Sequence, residues 1–106
     1  MKTVITAKGD QLSAYFDLRF GRGAYFCIYN HENESVEFIK NQYKDAQGGA
    51  GTKVAEQMVE LGINQIISGD FGPKAKELLN KFNIQMIAIQ DDNANIESIL
   101  NKIKQK

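Results

Sequence analysis

The stretch NQIISGDFGP, residues 64–73, decides the fold because it joins a strand to a helix through a glycine-rich turn. Ile66 and Ile67 form a short apolar run between turn residues, which is typical of a buried strand. Pro73 fits the first turn of a helix, where its missing N–H costs nothing. The stretch therefore predicts a strand over 64–68, a loop over 69–72 and a helix that begins near Pro73.

The sequence after this stretch continues the alternation of strands and helices. A strand is predicted over 84–89, and a last helix follows it because apolar residues recur at helical spacing. The apolar face of the helix after Pro73 is predicted to consist of Ala75, Leu78, Leu79 and Phe82, and that of the last helix of Ile96, Ile99, Leu100 and Ile103.

The sequence before this stretch predicts one helix and three strands. A helix over 51–62 is indicated by Val54, Met58 and Leu61, and Gly62 stands where a left-handed C-cap is wanted. Three further segments have the composition of strands, and the last two of them form a hairpin. The strands cover residues 3–7, 24–29 and 35–40, with a long irregular segment over 8–23.

This order predicts an α/β fold with a mixed five-stranded sheet covered by helices. The second strand should run antiparallel to the first and third, while two crossovers make the first, fourth and fifth strands parallel. Residues 1–106 are expected to form a single domain. The predicted core contains Ile5, Ile67, Leu78, Leu79, Ile87 and Leu100.

Composition excludes several classes of protein. The formal net charge is zero, 42% of residues are hydrophobic and 25% are charged, so a nucleic-acid-coating protein is not expected. The apolar runs are too short for a membrane span, and the N-terminus does not resemble a signal peptide. A single cysteine cannot form an internal disulfide. We therefore expect a cytoplasmic monomer with no membrane or nucleic-acid partner.

Glycine-rich segments should meet at one edge of this sheet. Ligands of open α/β sheets bind beyond the carboxyl ends of the parallel strands. Residues 8–23, 47–51 and 68–72 are expected to gather there. One edge of the sheet is therefore the predicted binding region.

The loop GGAGTK, residues 48–53, precedes a helix and could turn its backbone N–H groups toward an anion. It is not a P-loop, because Lys53 follows Thr52 instead of preceding it. A tight helix start without a ligand is the alternative. Gly69 and Gly72 belong to a second loop of the same kind, in which Asp70 either caps the helix or lines a site.

Arg19 and Arg22 flank Phe20 and Gly21 in the irregular segment. Two guanidinium groups beside helix starts would favour a multiply charged anion. Alternatively, the arginines pair with the nearby carboxylates of Asp10 and Asp17, or only solvate the surface.

Catalytic groups are scarce in this sequence. His31 lies in the hairpin turn and is expected to be a solvated loop residue, and Cys27 lies mid-strand as a buried, inert thiol. A structural zinc site is excluded by this composition. Asp10, Asp17 and Asp70 could instead hold Mg²⁺ in a small enzyme that acts on a phosphorylated substrate. An interaction module without a ligand is a further alternative.

Three short motifs in order resemble the dinitrogenase iron–molybdenum cofactor biosynthesis family over nearly the whole chain. The first is RFGRGAYF at residues 19–26, similar to the family's F-G-R segment followed by an aromatic strand. The second is GGAG at 48–51, with LGI at 61–63. The third spans 69–72 and continues through Ala75 and Leu79 to the NI pair at 83–84.

This resemblance implies a three-layer, RNase H-like α/β/α fold and a protein that is not an enzyme. It implies that the chain binds or carries an anionic metal–sulfur cluster or an iron–molybdenum cofactor precursor, and that its partners are cluster donor or acceptor proteins. Cofactor-binding members often carry a histidine immediately before F-G-R, where this chain has Arg19. The binding residues it implies are Arg19, Phe20, Gly21, Arg22, Gly48, Gly49, Ala50, Gly51, Gly69 and Gly72.

Overall fold

The computed structural model describes residues 1–104, which form five strands and three helices in the order predicted from the sequence. No helix within these residues has the length and apolar character that crossing a membrane requires. The elements are β1 (Lys2–Ala7), β2 (Tyr25–Asn30), β3 (Val36–Lys40), α1 (Ala50–Glu60), β4 (Gln65–Ser68), α2 (Pro73–Lys81), β5 (Gln85–Ala88) and α3 (Ile96–Lys104).

The strands form one mixed sheet in the order β3-β2-β1-β4-β5. β2 pairs antiparallel with β1 and β3, while β4 runs parallel to both β1 and β5. The predicted strand directions are therefore confirmed. The finer expectation of an RNase H-like arrangement stays a prediction.

The two faces of the sheet bury separate cores, because successive side chains of a strand point to opposite sides. Val4 of β1 packs with residues of α1 and α2, whereas the adjacent Ile5 packs with residues of α3. Helices therefore cover both faces, with α1 and α2 on one side and α3 on the other.

Most of the predicted core residues are buried, and the exceptions have a physical reason. Ile5, Ile67, Leu79 and Leu100 are buried, but Leu78 and Ile87 are only half-buried. Ile87 belongs to β5, which has a neighbouring strand on one side only. Phe82, predicted to lie on the apolar face of α2, is 49% exposed because α2 ends at Lys81 and Phe82 is its C-cap.

Both α1 and α2 end in a left-handed residue that turns the chain into the next strand. Gly62 has φ 71°, and the N–H of the following Ile63 donates to the carbonyl of Met58. Asn83 takes the same role after α2 with φ 59°, and the N–H of Ile84 donates to the carbonyl of Leu79. These are Schellman motifs, in which glycine and asparagine tolerate the left-handed conformation best. The predicted C-cap role of Gly62 is confirmed.

We predict that Leu79→Ala lowers the free energy of unfolding by about 2–5 kcal/mol, because it empties a fully buried position in the core under α2. Urea unfolding followed by circular dichroism measures the change. The matched control is Leu12→Ala, the same deletion at a side chain that is 38% exposed. Equal losses in the two variants would contradict the assignment of this core.

Candidate functional site

A cleft of about 430 Å³ opens where the start of α1, the start of α2 and the loop over 19–22 meet. β1 and β4 both lead into this region, since the loop after β4 supplies one wall and the segment that follows β1 supplies another. The cleft lies beyond the carboxyl ends of parallel strands, where ligands of open α/β sheets bind.

The beginnings of α1 and α2 carry no side-chain cap. The N-cap residues are Gly49 and Gly72, neither helix has an acidic residue in its first turn, and neither N-cap makes a side-chain hydrogen bond. The first N–H groups of a helix have no partner within the helix, and the helix dipole adds partial positive charge there. Both helix starts therefore present hydrogen-bond donors to the same cleft.

The loop over 19–22 is held beside the end of β4 by backbone hydrogen bonds. The carbonyl of Leu18 accepts from the N–H of Gly69 at 3.1 Å and from the N–H of Asp70 at 2.7 Å. The N–H of Phe20 donates in turn to the carbonyl of Asp70. An isolated parallel β-bridge between Arg19 and Asp70 thus continues the backbone pairing beyond the end of β4.

Arg19 is fixed by the carboxylate of Asp17. Its Nε donates to Oδ1 at 3.1 Å and its Nη2 donates to Oδ2 at 3.2 Å, while its backbone N–H also donates to Oδ1. The hydrogen bond to Asp17 and the charge of that carboxylate raise the pKa of Arg19. The Asp17 side chain is 2% exposed and that of Arg19 is 60% exposed. The pairing considered from the sequence is therefore present, and the guanidinium still reaches the cleft.

Arg22 has a different environment from Arg19. Its Nη1 donates to the carbonyls of Lys44 and Ala46, in the loop that leads toward Gly48. Arg22 lines the cleft. Its guanidinium also connects the loop over 19–22 to residues 44–46 by hydrogen bonds. Replacing Arg22 would therefore disturb the shape of the site as well as its charge.

Two of the ten binding residues that the resemblance implied lie outside the lining of the cleft. Gly48 and Gly69 do not line the cleft, and Gly69 instead packs against Leu18, whose carbonyl lies 2.7 Å from the position a Cβ would take. Phe20 is fully buried, with its ring centroid 5.2 Å from that of Phe71, so its side chain supports the floor of the cleft. The implied residues that do line the cleft are Arg19, Phe20, Gly21, Arg22, Gly49, Ala50, Gly51 and Gly72. The rest of the lining consists of Thr52, Asp70, Phe71, Pro73, Lys74 and Ala75.

Asp70 is an acceptor beside the start of α2 and also lines the cleft, although the N-cap itself is Gly72. It lies two residues before Gly72 and accepts a hydrogen bond from the Gly72 N–H at 3.2 Å. Its exposed carboxylate stands on the wall of the cleft. Over residues 1–104, no group of three or more His, Cys, Asp or Glu side chains is placed to hold a metal ion, so Asp10, Asp17 and Asp70 do not converge.

The histidine and the cysteine both lie outside the cleft. Cys27 is fully buried in the core under α3, and burial raises the pKa of its thiol to about 12. His31 follows β2 at the other end of the sheet, where its Nε2 is 2.7 Å from the hydroxyl of Thr3 and its ring meets that of Tyr29 edge-on. The expectation of a merely solvated His31 is wrong, because the imidazole is half-buried and hydrogen-bonded.

The sequence analysis did not single out Lys74, which lines the cleft. It also missed Asn41. It is 2% exposed, and its Nδ2 donates to the carbonyls of Gly21 at 3.0 Å and Gly23 at 2.8 Å. Its Oδ1 accepts from the N–H of Tyr43. The one signal in the sequence was its position immediately after β3, where an asparagine often stabilises a turn.

Together, these observations define an α/β fold with a cleft at the carboxyl ends of its parallel strands. The dinitrogenase iron–molybdenum cofactor family model matches residues 1–106, and the chain belongs to that family. An uncharacterised protein of Methanocaldococcus jannaschii is 31% identical over 89 residues, which cover 81% of this chain and 72% of that protein.

Solved structures have the same fold. The apo form of the orange protein from Desulfovibrio gigas has a TM-score of 0.86 and 25% identity, and the match covers 98% of this chain and 87% of that one. A NifB-like protein from Thermotoga has a TM-score of 0.81 and 27% identity with the same coverage. These likenesses agree with the family and with the strand order of the sheet.

We predict that Gly21→Ala destabilises the protein by about 1–3 kcal/mol, because there is no room for a methyl group. A Cβ at this position would lie 2.7 Å from the Gly51 nitrogen and 2.8 Å from its Cα, in the first turn of α1. Gly48→Ala is the matched control, since nothing lies within 4 Å of its Cβ position. Chemical denaturation of both variants gives the comparison. A Gly21→Ala variant as stable as Gly48→Ala would contradict the close approach of the loop to α1.

We also predict that Asn41→Asp lowers the free energy of unfolding by at least about 1–3 kcal/mol, since a carboxylate cannot donate to the carbonyls of Gly21 and Gly23. Asn33→Asp is the matched control, because the side chain of Asn33 only accepts, from the N–H of Ser35. Thermal unfolding at neutral pH compares the two. A small and equal effect would mean that Asn41 does not hold the loop.

Proposed function

We propose that this protein is a non-enzymatic carrier that binds an anionic metal–sulfur cluster, or a precursor of the iron–molybdenum cofactor, in the cleft. Membership of the iron–molybdenum cofactor family supports the class of ligand. The orange protein was solved in a form described as apo, a word used for a protein without its bound group, which supports a binding role for this fold. Cluster donor and acceptor proteins are its proposed partners.

The observation that carries the proposal is that two uncapped helix starts and the guanidinium of Arg19 open on one cleft. Sulfide ligands at the surface of an anionic cluster accept hydrogen bonds, so donors and positive charge are what such a surface requires. The first N–H groups of α1 and those of Lys74 and Ala75 in α2 supply the donors, since Pro73 has no N–H, and Arg19 and Lys74 supply the charge.

The proposed binding mode uses hydrogen bonds and charge without coordination of the metal. Cysteine and histidine are absent from the lining of the cleft in the part of the chain that the structure describes. Arg19 replaces the histidine that cofactor-binding members often carry, and it cannot act as an imidazole ligand. We therefore propose that the cargo is a cluster whose metals already carry their own ligands.

The alternative of a Mg²⁺-dependent enzyme has less support. That enzyme would use Asp10 and Asp70, but Asp10 does not line the cleft. Asp17, the third aspartate considered, is buried and accepts hydrogen bonds from Arg19. Asp70 is left on the wall of the cleft without a second carboxylate beside it in the cleft lining. The geometry of the described residues thus favours the carrier.

The test is anaerobic incubation with isolated iron–molybdenum cofactor, followed by gel filtration and visible absorption of the protein fraction. We expect the unaltered protein to comigrate with the cofactor. Arg19→Ala should weaken retention by about ten- to a hundredfold, because a charge-assisted contact contributes about 1.5–3 kcal/mol.

Two further variants separate charge from geometry in this test. Arg19→Lys keeps the charge but loses the paired contacts with Asp17, so it should bind with intermediate affinity. Lys102→Ala removes an exposed cation from α3, on the other face of the sheet, and should bind like the unaltered protein. If the unaltered protein does not retain the cofactor at micromolar concentration, the proposal is wrong.

A further inference from the structure

The cleft contains one carboxylate among its cations and donors. Among the described residues that line it, Arg19, Arg22 and Lys74 are cations and Asp70 is the one acid. A carboxylate only accepts hydrogen bonds, so it attracts a hydrogen of a ligand and repels an anionic atom. Asp70 therefore opposes the anion that the other groups attract, unless that anion also carries a hydrogen.

The backbone fixes Asp70 beside Arg19. The two residues form a parallel β-bridge, in which the N–H of Asp70 donates to the carbonyl of Leu18 at 2.7 Å and its carbonyl accepts from the N–H of Phe20 at 3.2 Å. The carboxylate is held as well, because its Oδ1 accepts from the N–H of Gly72 at 3.2 Å. The position of this acceptor in the cleft is therefore set by three hydrogen bonds.

Arg19 does not neutralise Asp70, although the two residues are neighbours. Its guanidinium donates through Nε and Nη2 to the carboxylate of Asp17, whose side chain is 2% exposed. Arg22 is engaged with backbone carbonyls, and within residues 1–104 Asp70 forms no salt bridge. The cleft thus presents a cation and an unneutralised carboxylate next to each other.

We propose that Asp70 determines which anions the cleft accepts. It admits an anion that carries a hydroxyl or hydrosulfide hydrogen beside Asp70, and it rejects an anion of equal charge and shape that has no hydrogen. The hydrogen forms a charge-assisted bond with the carboxylate, while neighbouring oxygen or sulfur atoms accept from Arg19 and the helix starts. Without the hydrogen, two anionic groups face each other, and an unpaired charge of this kind discriminates between ligands.

This inference rests on the proposed function and narrows its ligand. The cargo is then a metal–sulfur cluster or precursor that presents a hydroxyl or hydrosulfide group on the side that meets Asp70. The remaining surface of the cluster meets the donors of α1 and α2 and the guanidinium of Arg19.

Inorganic phosphate and sulfate are the probes that test this selectivity, since both are tetrahedral oxyanions of similar size. In slightly alkaline buffer each carries two negative charges, but phosphate keeps a hydrogen and sulfate has none. Titration with each anion into the millimolar range at constant ionic strength, followed by the NMR shifts of the amides at the two helix starts, gives the dissociation constants. We expect phosphate to bind at least about tenfold more tightly, because it alone can donate to Asp70.

Asp70→Asn tests the role of the carboxylate. The carboxamide oxygen can still accept from the N–H of Gly72, while its NH₂ group offers donors to the ligand. The ratio of the two affinities should therefore fall to about one. Loss of a negative charge alone would strengthen the binding of both anions and leave the ratio unchanged, so the ratio isolates the hydrogen bond from the ligand.

Asp91→Asn is the matched control. Asp91 is also exposed, its Oδ1 also accepts from the N–H two residues further on, that of Asn93 at 3.0 Å, and it does not line the cleft. This variant should keep the preference for phosphate. The two variants therefore make the same chemical change in the same local turn, one inside the cleft and one outside it.

Equal affinities for the two anions in the unaltered protein, or no measurable binding of either, would overturn the proposal. So would a preference that Asp70→Asn retains, or one that Asp91→Asn loses to the same degree. Cofactor retention is measured separately. A protein that retains the iron–molybdenum cofactor but does not distinguish phosphate from sulfate contradicts this inference alone. A protein that distinguishes the anions but does not retain the cofactor contradicts the proposed function and leaves the anion selectivity of the cleft.

Discussion

The carbonyl oxygen of Leu18 accepts hydrogen bonds from two consecutive N–H groups, those of Gly69 and Asp70, and the site depends on this contact. It fixes the segment after β1 against the end of β4. A side chain at residue 69 would prevent the contact, since its Cβ would lie within 2.8 Å of three atoms of Leu18. From this point the chain can present Arg19 to the cleft, bury Phe20 and bring Gly21 against the start of α1.

Polar groups buried at the ends of β1 and β4 reinforce that contact. The hydroxyl of Thr6 donates to the carbonyl of Asp17, and the hydroxyl of Ser68 lies 2.8 Å from that of Thr6. Since the proton of Thr6 is used toward Asp17, Ser68 is the donor of the second bond. These residues are buried, so each unsatisfied group would cost about 1–3 kcal/mol. The hydrogen bonds therefore favour a single position for Asp17, and through it for Arg19.

The sequence was sufficient to predict the elements and the direction of the strands. Periodicity distinguishes helices from strands, and the order of the elements then limits which strands can be parallel. It also predicted that glycine-rich segments meet at one edge of the sheet, and Arg19, Gly49 and Gly72 line one cleft there. It could not separate residues of one type by their environment. A Cβ at Gly21 would collide with α1 and a Cβ at Gly48 would meet no atom within 4 Å, although both residues stand in glycine-rich loops.

The contacts that shape the cleft join residues far apart in the chain, and no local pattern predicts them. Arg22 donates to carbonyls of Lys44 and Ala46, and Asn41 donates to carbonyls of Gly21 and Gly23. A backbone carbonyl is common to every residue, so nothing in the sequence marks which ones an arginine or asparagine will reach. The sequence identifies Arg22 as a cation. Only the fold shows that its guanidinium holds the loop over residues 44–46 by hydrogen bonds.

The environments of the side chains limit which groups can act on a ligand. The thiolate is the form of cysteine that binds metal, and burial raises the pKa of Cys27 to about 12, so this residue is a neutral thiol near neutral pH. Arg22 is already engaged with backbone carbonyls, and Asp17 with Arg19. The donors and cations that remain at the cleft are the N–H groups at two helix starts and the side chains of Arg19 and Lys74, both of which line it. Because backbone N–H groups keep their hydrogens at all physiological pH values and are fixed by the helices, the two helix starts offer donors of constant position, which is what the proposed anionic ligand requires.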